Sequence, residues 1–188
     1  MKKIADGELF SPEEFSGILE VERRKIIKAK KERRITSRTF SYLFENRETV
    51  LNQMNEMILI ENIHDDKEKR HILDTYNELI PDDLEFSVSM FIEISDEKKL
   101  LQEMPRLSGI ENNVYLVFGD HEVKGAPEEG RSTDTLESTL QYLRFKFDGK
   151  TAEQFKKAKN AFIVTRHPIY KESEEITETL LPQLKSEL

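Results

Sequence analysis

The chain contains no cysteine and no tryptophan, and only 7 of its 188 residues are glycine. Without cysteine it can form no disulfide framework, thiol nucleophile, thiolate zinc site or cysteine-ligated iron–sulfur cluster. Thiol redox chemistry by the chain itself is therefore excluded.

Long apolar runs are also missing. No uncharged stretch approaches the roughly 20 residues that span a bilayer. Residues 1–8 include acidic side chains before any apolar segment of the kind found in a signal peptide. We therefore predict a cytoplasmic protein with no membrane partner.

Familiar catalytic and nucleotide-binding motifs are absent from the sequence. Neither Gly-x-Gly-x-x-Gly nor the P-loop pattern occurs, and the nucleophile elbow Gly-x-Ser-x-Gly is missing. A dinucleotide enzyme, a P-loop phosphotransferase or a serine hydrolase of the usual kind is not indicated. Whether the chain is an enzyme stays open.

The composition is polar, but apolar residues recur in regular patterns along the chain. Apolar residues make up 37% of the chain and charged residues 35%, with a formal net charge of −8 at pH 7. A chain of this length buries roughly 70% of its surface on folding, which is enough for one hydrophobic core. We predict one domain that spans residues 1–188.

The order of predicted elements favours the α+β class. Ser11 and Pro12 predict the start of a basic helix over about 11–34. Alternating or continuous apolar runs predict strands near residues 40–44, 86–94, 114–118, 142–147 and 161–165. Helical spacing predicts central helices and a C-terminal helix from about Ser173, while a glycine-containing loop is expected over about 119–135. Because regular βαβ alternation is lacking, we expect a largely antiparallel or mixed sheet.

The basic helix concentrates positive charge in an acidic protein. Eight of the twelve residues from Arg23 to Arg34 are Lys or Arg. Such a face can dock an acidic partner or contact phosphates. Because the whole chain is acidic and no aromatic residue interrupts the segment, we predict a solvated or partner-docking face rather than a nucleic-acid site.

Histidine and carboxylate spacing offers two metal motifs. Glu61–His64 and Glu68–His71 both satisfy Glu-x-x-His, which places the two side chains on one face of a helix. Di-iron sites need such motifs on different helices that converge in a bundle, whereas these lie seven residues apart in a charged stretch. We predict a solvated face, no metal site and no cofactor.

Polar residues beside apolar runs are the candidates for ligand binding. They are Arg47, Gln53, Glu56, Arg131, Tyr142, Arg144, His167 and Tyr170. Guanidinium groups that converge would suit a carboxylate or phosphate. Helix caps, i,i+4 pairs and an Arg–Glu latch that holds the 119–135 loop would account for the same residues without a ligand.

Six segments resemble, in order and spacing, the bacterial family known as domain of unknown function 3501. They are Phe44-Glu45-Asn46-Arg47-Glu48-Thr49-Val50-Leu51-x-Gln53-x-x-Glu56-Met57, Tyr76-Asn77-x-Leu79-Ile80-Pro81, Gly109-Ile110-Glu111, Glu129-Gly130-Arg131, Tyr142-Leu143-Arg144-Phe145 and His167-Pro168-x-Tyr170. The resemblance covers nearly the whole chain. The first segment is the most specific of the six.

The resemblance implies a role near redox systems. Members of that family tend to be encoded beside rubrerythrin-like di-iron proteins and iron–sulfur oxidoreductases. This context implies an accessory, partner-binding protein in electron transfer or peroxide defence. The alternative is an enzyme or small-molecule binder with an Arg- and Glu-lined site for an anionic ligand.

Overall fold

The computed structural model describes residues 1–128 and 139–188, which form two compact units. The first unit comprises Met1–Arg33 and Glu45–Asp82, and the second comprises Arg34–Phe44 and Asp83–Leu188. Helices fill the first unit, whereas the second combines antiparallel sheets with short helices. The predicted α+β class is confirmed.

Three α-helices build the first unit, and each begins at a residue that the sequence makes suitable for a cap. They are α1 (Pro12–Glu32), α2 (Arg47–Ile60) and α3 (Asp66–Asn77). Ser11 accepts a hydrogen bond from the Glu14 amide at 3.3 Å and donates its own amide to the Glu14 carboxylate at 2.8 Å. This reciprocal capping box satisfies amides that have no partner within the helix, and fixes the start of α1.

Apolar side chains on α1 and α2 form the core of the first unit. The buried residues of this pair include Phe15, Ile26, Val50, Met54 and Ile58. The α2 members recur at helical spacing, which aligns them on one face of the helix. The helix ends at Ile60, and Asn62 just beyond it adopts a left-handed φ of 50° that does not continue a helix.

Two antiparallel sheets build the second unit. The first has the strand order β1 (Arg34–Thr36), β2 (Phe40–Glu45), β3 (Glu85–Ile92), β7 (Leu140–Lys146), β6 (Ala126–Pro127). The second has the order β5 (His121–Lys124), β4 (Val114–Phe118), β8 (Phe162–Arg166), β9 (Lys171–Glu175). Short helices accompany them: α4 (Glu97–Glu103), α5 (Gly149–Lys157) and α6 (Leu180–Glu187).

Register in the sheets brings apolar residues together across strands. Phe86 lies opposite Phe145, and Val88 lies opposite Leu143, so that one face of β3 and β7 enters the core. Phe155 of α5 packs on this core, with ring centroids 5.4 Å from Phe86 and 5.0 Å from Phe118. Phe147 joins the same aromatic cluster, with its ring centroid 5.6 Å from that of Phe155.

The predicted start of the C-terminal helix, at about Ser173, is wrong. Lys171–Glu175 instead forms β9, which pairs antiparallel with β8 and places Ser173 opposite Val164. An edge strand needs few apolar residues, so its charged sequence gave no strand pattern. The helix begins at Leu180, and Pro182 fits within its first turn because its missing amide would have no partner there.

Two expectations about strand faces also need correction. The alternation along 86–94 predicts one buried and one largely wet face, yet Ser87 and Ser89 on the second face of β3 are buried as well. Conversely, Tyr115 and Val117 on β4 are partly exposed, although their continuous apolar run predicted cover on both faces. The Arg166 guanidinium lies over the Tyr115 ring, 4.6 Å from its centroid, and covers part of that face.

The predicted loop at 119–135 is only partly within the described residues. Gly119 has a φ of 55°, which lets the chain turn from β4 directly into β5. Residues 129–138, which include Arg131, lie outside the described residues. None of the helices in the described ranges is long and apolar enough to cross a membrane.

Candidate functional site

An apolar groove between α1 and α2 is the first candidate surface, and it lies within the first unit. Its cavity volume is about 430 Å³, and it is called the α1–α2 groove below. The residues that line it are Phe15, Leu19, Arg23, Ile26, Ile27, Glu56, Leu59 and Ile60. Ile60 is 74% exposed and Ile27 is 55% exposed, so the groove presents aliphatic surface to solvent.

Positive charge borders this groove along α1. Lys30 pairs with Glu56 across the two helices at 2.7 Å, and Lys25 pairs with Glu22 at 2.8 Å. Arg23, Arg24 and Lys31 make no ion pair with any residue of the described ranges. The helix therefore keeps cationic donors for a partner beside an apolar surface.

Arg47, Gln53 and Glu56 belong to the first unit, where each has its own partner. Arg47 pairs with Glu8, and Glu56 pairs with Lys30. Gln53 donates to the buried Glu45 carboxylate at 2.9 Å. These contacts are the ordinary pairings that could account for the three residues without a ligand.

A polar cleft is the second candidate surface, and it lies within the second unit. Its cavity volume is about 530 Å³, and it is called the Tyr170 cleft below. It is lined by Arg38, Thr39, Glu93, Ile94, Ser95, Asp96, Lys99, Glu103, Arg106, Ile169 and Tyr170. Among the candidate ligand residues that the structure describes, Tyr170 is the one that lines it.

The Tyr170 hydroxyl is fixed by a carboxylate of the opposite wall. It donates to Glu103, which also accepts from Arg106 at 2.8 and 2.9 Å. Burial, together with the hydrogen bond to Glu103 and its negative charge, raises the pKa of Tyr170 to about 12. The phenol therefore stays protonated at neutral pH and acts as a donor.

His167 supports the turn that carries Tyr170. Its Nδ1 accepts from the Ile169 amide at 3.3 Å, which assigns the ring proton to Nε2, and Nε2 donates to the Ser108 carbonyl at 3.1 Å. The two rings are tilted, with centroids 5.9 Å apart. His167 and Tyr170 are thus the one predicted pair that the described structure brings into ring contact, and both nitrogens of His167 are already bonded.

Glu172 on β9 fixes the turn between β1 and β2 at the edge of this cleft. Its carboxylate accepts from Ser37 Oγ at 2.5 Å, from the Thr39 amide at 3.1 Å and from Thr39 Oγ1 at 2.6 Å. Burial alone would raise the pKa of Glu172, but these hydrogen bonds and the Arg38 charge lower it below its ordinary value of 4.5. The carboxylate is therefore ionised at neutral pH, and one of its oxygens lies 3.6 Å from the Arg38 guanidinium.

Replacement of Glu172 by Gln should destabilise the protein at neutral pH by about 1 kcal/mol, and less in acid. Because the folded-state pKa is lowered, the ionised group stabilises the fold above pH 4.5 and loses this effect as the pH falls through its folded pKa. Urea unfolding of both proteins at pH 7 and near pH 3 measures the difference. A constant difference across that range would contradict the assignment.

Arg144 on β7 is held between two carboxylates of the second unit. It pairs with Glu85 at 2.5 Å and with Glu128 at 3.0 Å, and its side chain is only 16% exposed. Tyr142 lies two residues earlier on the same face of the strand. The Glu128 contact supports the latch hypothesis, because it joins β7 to the residue at which the described part of the loop ends.

The two Glu-x-x-His pairs do not share a helix. Glu61 ends α2 and His64 follows in a loop, whereas Glu68 and His71 lie on α3. Within residues 1–128 and 139–188, no group of three or more His, Asp or Glu side chains is arranged to hold a metal ion.

Comparison with known families agrees with the sequence resemblance. Residues 3–188 match the family described as Protein of unknown function (DUF3501). The chain belongs to this family. No curated protein matches the sequence.

One solved structure is similar to the DUF3501 chain over its full length. It is the crystal structure, at 1.90 Å resolution, of a novel protein of unknown function from Burkholderia pseudomallei K96243. The two chains are 26% identical, the TM-score is 0.92, and the match covers 100% of each chain. The fold is therefore shared with a protein whose function is also described as unknown.

Sequence reasoning missed most of the Tyr170 cleft in this DUF3501 chain. Arg38, Lys99 and Arg106 lie on a turn and on helical segments that carried no motif, and Glu103 is 67 residues from Tyr170. The α1–α2 groove was partly indicated by the sequence, because the basic helix was predicted as a partner-docking face. Ile26 and Ile27 interrupt the run of cations, and their position beside Leu59 depended on how α1 packs on α2.

Proposed function

We propose that the protein is an accessory, partner-binding protein whose α1–α2 groove receives an acidic amphipathic helix. The observation that carries this proposal is the combination of exposed aliphatic side chains with unpaired cations on α1. Exposed apolar surface bordered by charge is typical of interaction sites. In a chain of net charge −8, this basic strip is a local exception that favours an acidic partner.

The dimensions of the groove suit a helix. Phe15 and Ile27 lie twelve residues apart on α1, which is about 18 Å at 1.5 Å per residue. An amphipathic helix places apolar anchors at i, i+3, i+4 and i+7 into such a groove. Acidic residues beside those anchors would meet Arg23, Arg24 and Lys31.

The proposed partner class follows from the family resemblance. Rubrerythrin-like and iron–sulfur proteins are the implied neighbours, so we propose that the docked helix belongs to a protein of electron transfer or peroxide defence. In this proposal the redox cofactor is held by the partner. The DUF3501 chain supplies binding and orientation.

A labelled peptide tests the docking site directly. The probe is a helical peptide of about 18 residues with leucines at the anchor positions and glutamates elsewhere, and the control peptide has the same composition in scrambled order. We expect the amphipathic peptide to bind more tightly, with affinity that falls as salt rises. Fluorescence anisotropy measures both.

Two groove variants should weaken this binding by about tenfold or more each. Ile60→Asp introduces a charge at the apolar surface, and Arg23→Glu reverses a bordering cation. Lys157→Glu, on α5 of the second unit, is the matched control for charge reversal and should bind as the wild type. Equal binding of the scrambled peptide, or full binding by the groove variants, would contradict the proposal.

Nucleic acid is the alternative ligand of the basic helix. Duplex DNA and RNA added in place of the peptide should bind weakly near 0.15 M salt, because the positive charge is local. Submicromolar affinity for either duplex, lost in Arg23→Glu, would overturn the accessory-protein proposal.

A further inference from the structure

We propose that the Tyr170 cleft binds a small organic anion that carries a carboxylate or phosphate group. This site lies in the second unit and is independent of the docking proposal. Its volume of about 530 Å³ falls in the range of small-molecule sites. The ligand class follows from which hydrogen-bonding groups in the cleft are already engaged.

The cations of the cleft keep donors that the described residues do not use. Arg38 is 82% exposed, and its contact in the described ranges is Glu172 at 3.6 Å, which is too long for a hydrogen bond. Lys99 makes no side-chain hydrogen bond or ion pair with a described residue. Arg106 uses Nη1 for both bonds to Glu103, so its remaining nitrogens are available at the cleft.

The carboxylates of the cleft are each engaged by the protein. Glu103 accepts from Tyr170 and Arg106. Asp96 accepts from the Lys99 amide at 2.8 Å as the cap of α4. Glu93 accepts from Ser41 Oγ at 2.5 Å and lies 3.5 Å from the Arg34 guanidinium. The three cations and three carboxylates of the lining cancel in formal charge. Each carboxylate already accepts a hydrogen bond from the protein, whereas the cations keep donors without a described partner, and this favours an anion.

The backbone at Arg38 and the guanidinium of Arg106 are positioned before any ligand arrives. The turn that carries Arg38 is fixed by three hydrogen bonds to Glu172. Arg106 is fixed on the opposite wall by its double contact with Glu103. Because the backbone at Arg38 and the side chain of Arg106 are already held, less conformational entropy is lost when an anion binds.

Apolar groups at the same cleft indicate an organic ligand. Ile94 and Ile169 line it, and Ile169 is 49% exposed. The Tyr170 ring lies beside them and packs edge-on against Phe40 with centroids 5.8 Å apart. A ligand with a short carbon skeleton would cover this surface while its anionic group meets Arg38 and Lys99.

Calorimetry on the full chain tests the site with defined probes. Citrate and succinate represent carboxylates, glycerol 3-phosphate and inorganic phosphate represent phosphates, and glycerol is the uncharged control. We expect either the carboxylates or the phosphates to bind, and we expect no binding of glycerol. The class that binds identifies the anionic group that the cleft recognises. Absence of binding by all four anions at millimolar concentration would overturn the proposal.

Two variants locate the binding. Arg38→Ala and Lys99→Ala should each weaken the anion by about tenfold, the scale of one charge-assisted hydrogen bond. Lys159→Ala, an exposed lysine elsewhere in the second unit, should bind as the wild type. Both cleft residues are at the surface, so the variants should keep the wild-type melting temperature without ligand. Equal weakening by Lys159→Ala would show non-specific charge screening and overturn the assignment.

Discussion

Replacement of Phe155 by alanine is expected to lower the free energy of unfolding by about 3–5 kcal/mol. Phe155 is fully buried, and its ring contacts Phe86, Phe118 and Phe147 at centroid distances of 5.4, 5.0 and 5.6 Å. The substitution removes the hydrophobic transfer free energy of the ring and leaves a cavity that three other aromatic rings cannot fill without shifting. Urea unfolding followed by circular dichroism measures the change.

Matched variants separate the effect of a buried cavity from that of truncating a large apolar residue on an exposed helix face. Leu101→Ala on α4 also changes a large apolar residue to alanine, but Leu101 is 62% exposed and should cost less than about 1 kcal/mol. Phe155→Leu keeps part of the volume and should lie between the two. If Phe155→Ala unfolded at the same urea concentration as the wild type, the aromatic cluster would not stabilise the second unit.

The second large effect is expected for Arg144→Leu. The substitution removes the 2.5 Å partner of Glu85, whose side chain is only 5% exposed, and also the 3.0 Å partner of Glu128. Loss of one member of a buried ion pair leaves the other charge poorly solvated, and the usual cost is about 3–5 kcal/mol. Urea unfolding at pH 7 measures it.

Lys146→Leu is the matched control because Lys146 faces the same carboxylate. It lies 3.9 Å from Glu85 but is 78% exposed, so its removal should cost less than about 1 kcal/mol. Similar costs for the two variants would contradict the dominant role of Arg144.

Ligand response separates the latch hypothesis from the binding-site hypothesis at Arg144. If Arg144→Leu lowers stability but keeps the melting shift produced by an anion that binds the wild type, Arg144 is a latch. If the shift is lost as well, Arg144 belongs to a binding site. The contact with Glu128 favours the first result.

Local signals in the sequence predicted the start of α1 and the central strands, but not the start of α6. Ser11 and Asn46 are caps in the structure, and each accepts from the amide three residues later. Capping depends on neighbours in sequence, so a single chain reveals it. The alternation around Leu143 and Phe145 likewise predicted which residues enter the core, because strand periodicity is fixed by the backbone.

Pairs of residues that are distant in the sequence could not be predicted from it. Arg144 was a candidate from its position on a strand, but its partner Glu85 is 59 residues away and could be found only from the β3–β7 register. Tyr170 was a candidate from a short motif, and its partner Glu103 depends on how α4 packs. Tertiary structure decides which residues form such pairs. The sequence therefore gives the number of charged residues but not which of them pair with each other.

The edge strands of the two sheets influence whether the protein can associate with copies of itself. Exposed strand margins carry unpaired amides and carbonyls that can recruit another chain into a continuous sheet. Here β6 is two residues long and contains Pro127, which has no amide to donate, and β1 is three residues long. The outer strands of the second sheet carry charge instead, and four of the five residues of β9 are Lys or Glu. A strand from another chain added at β9 would have to pair with a segment that carries three glutamates in five residues, which disfavours fibre growth at this edge.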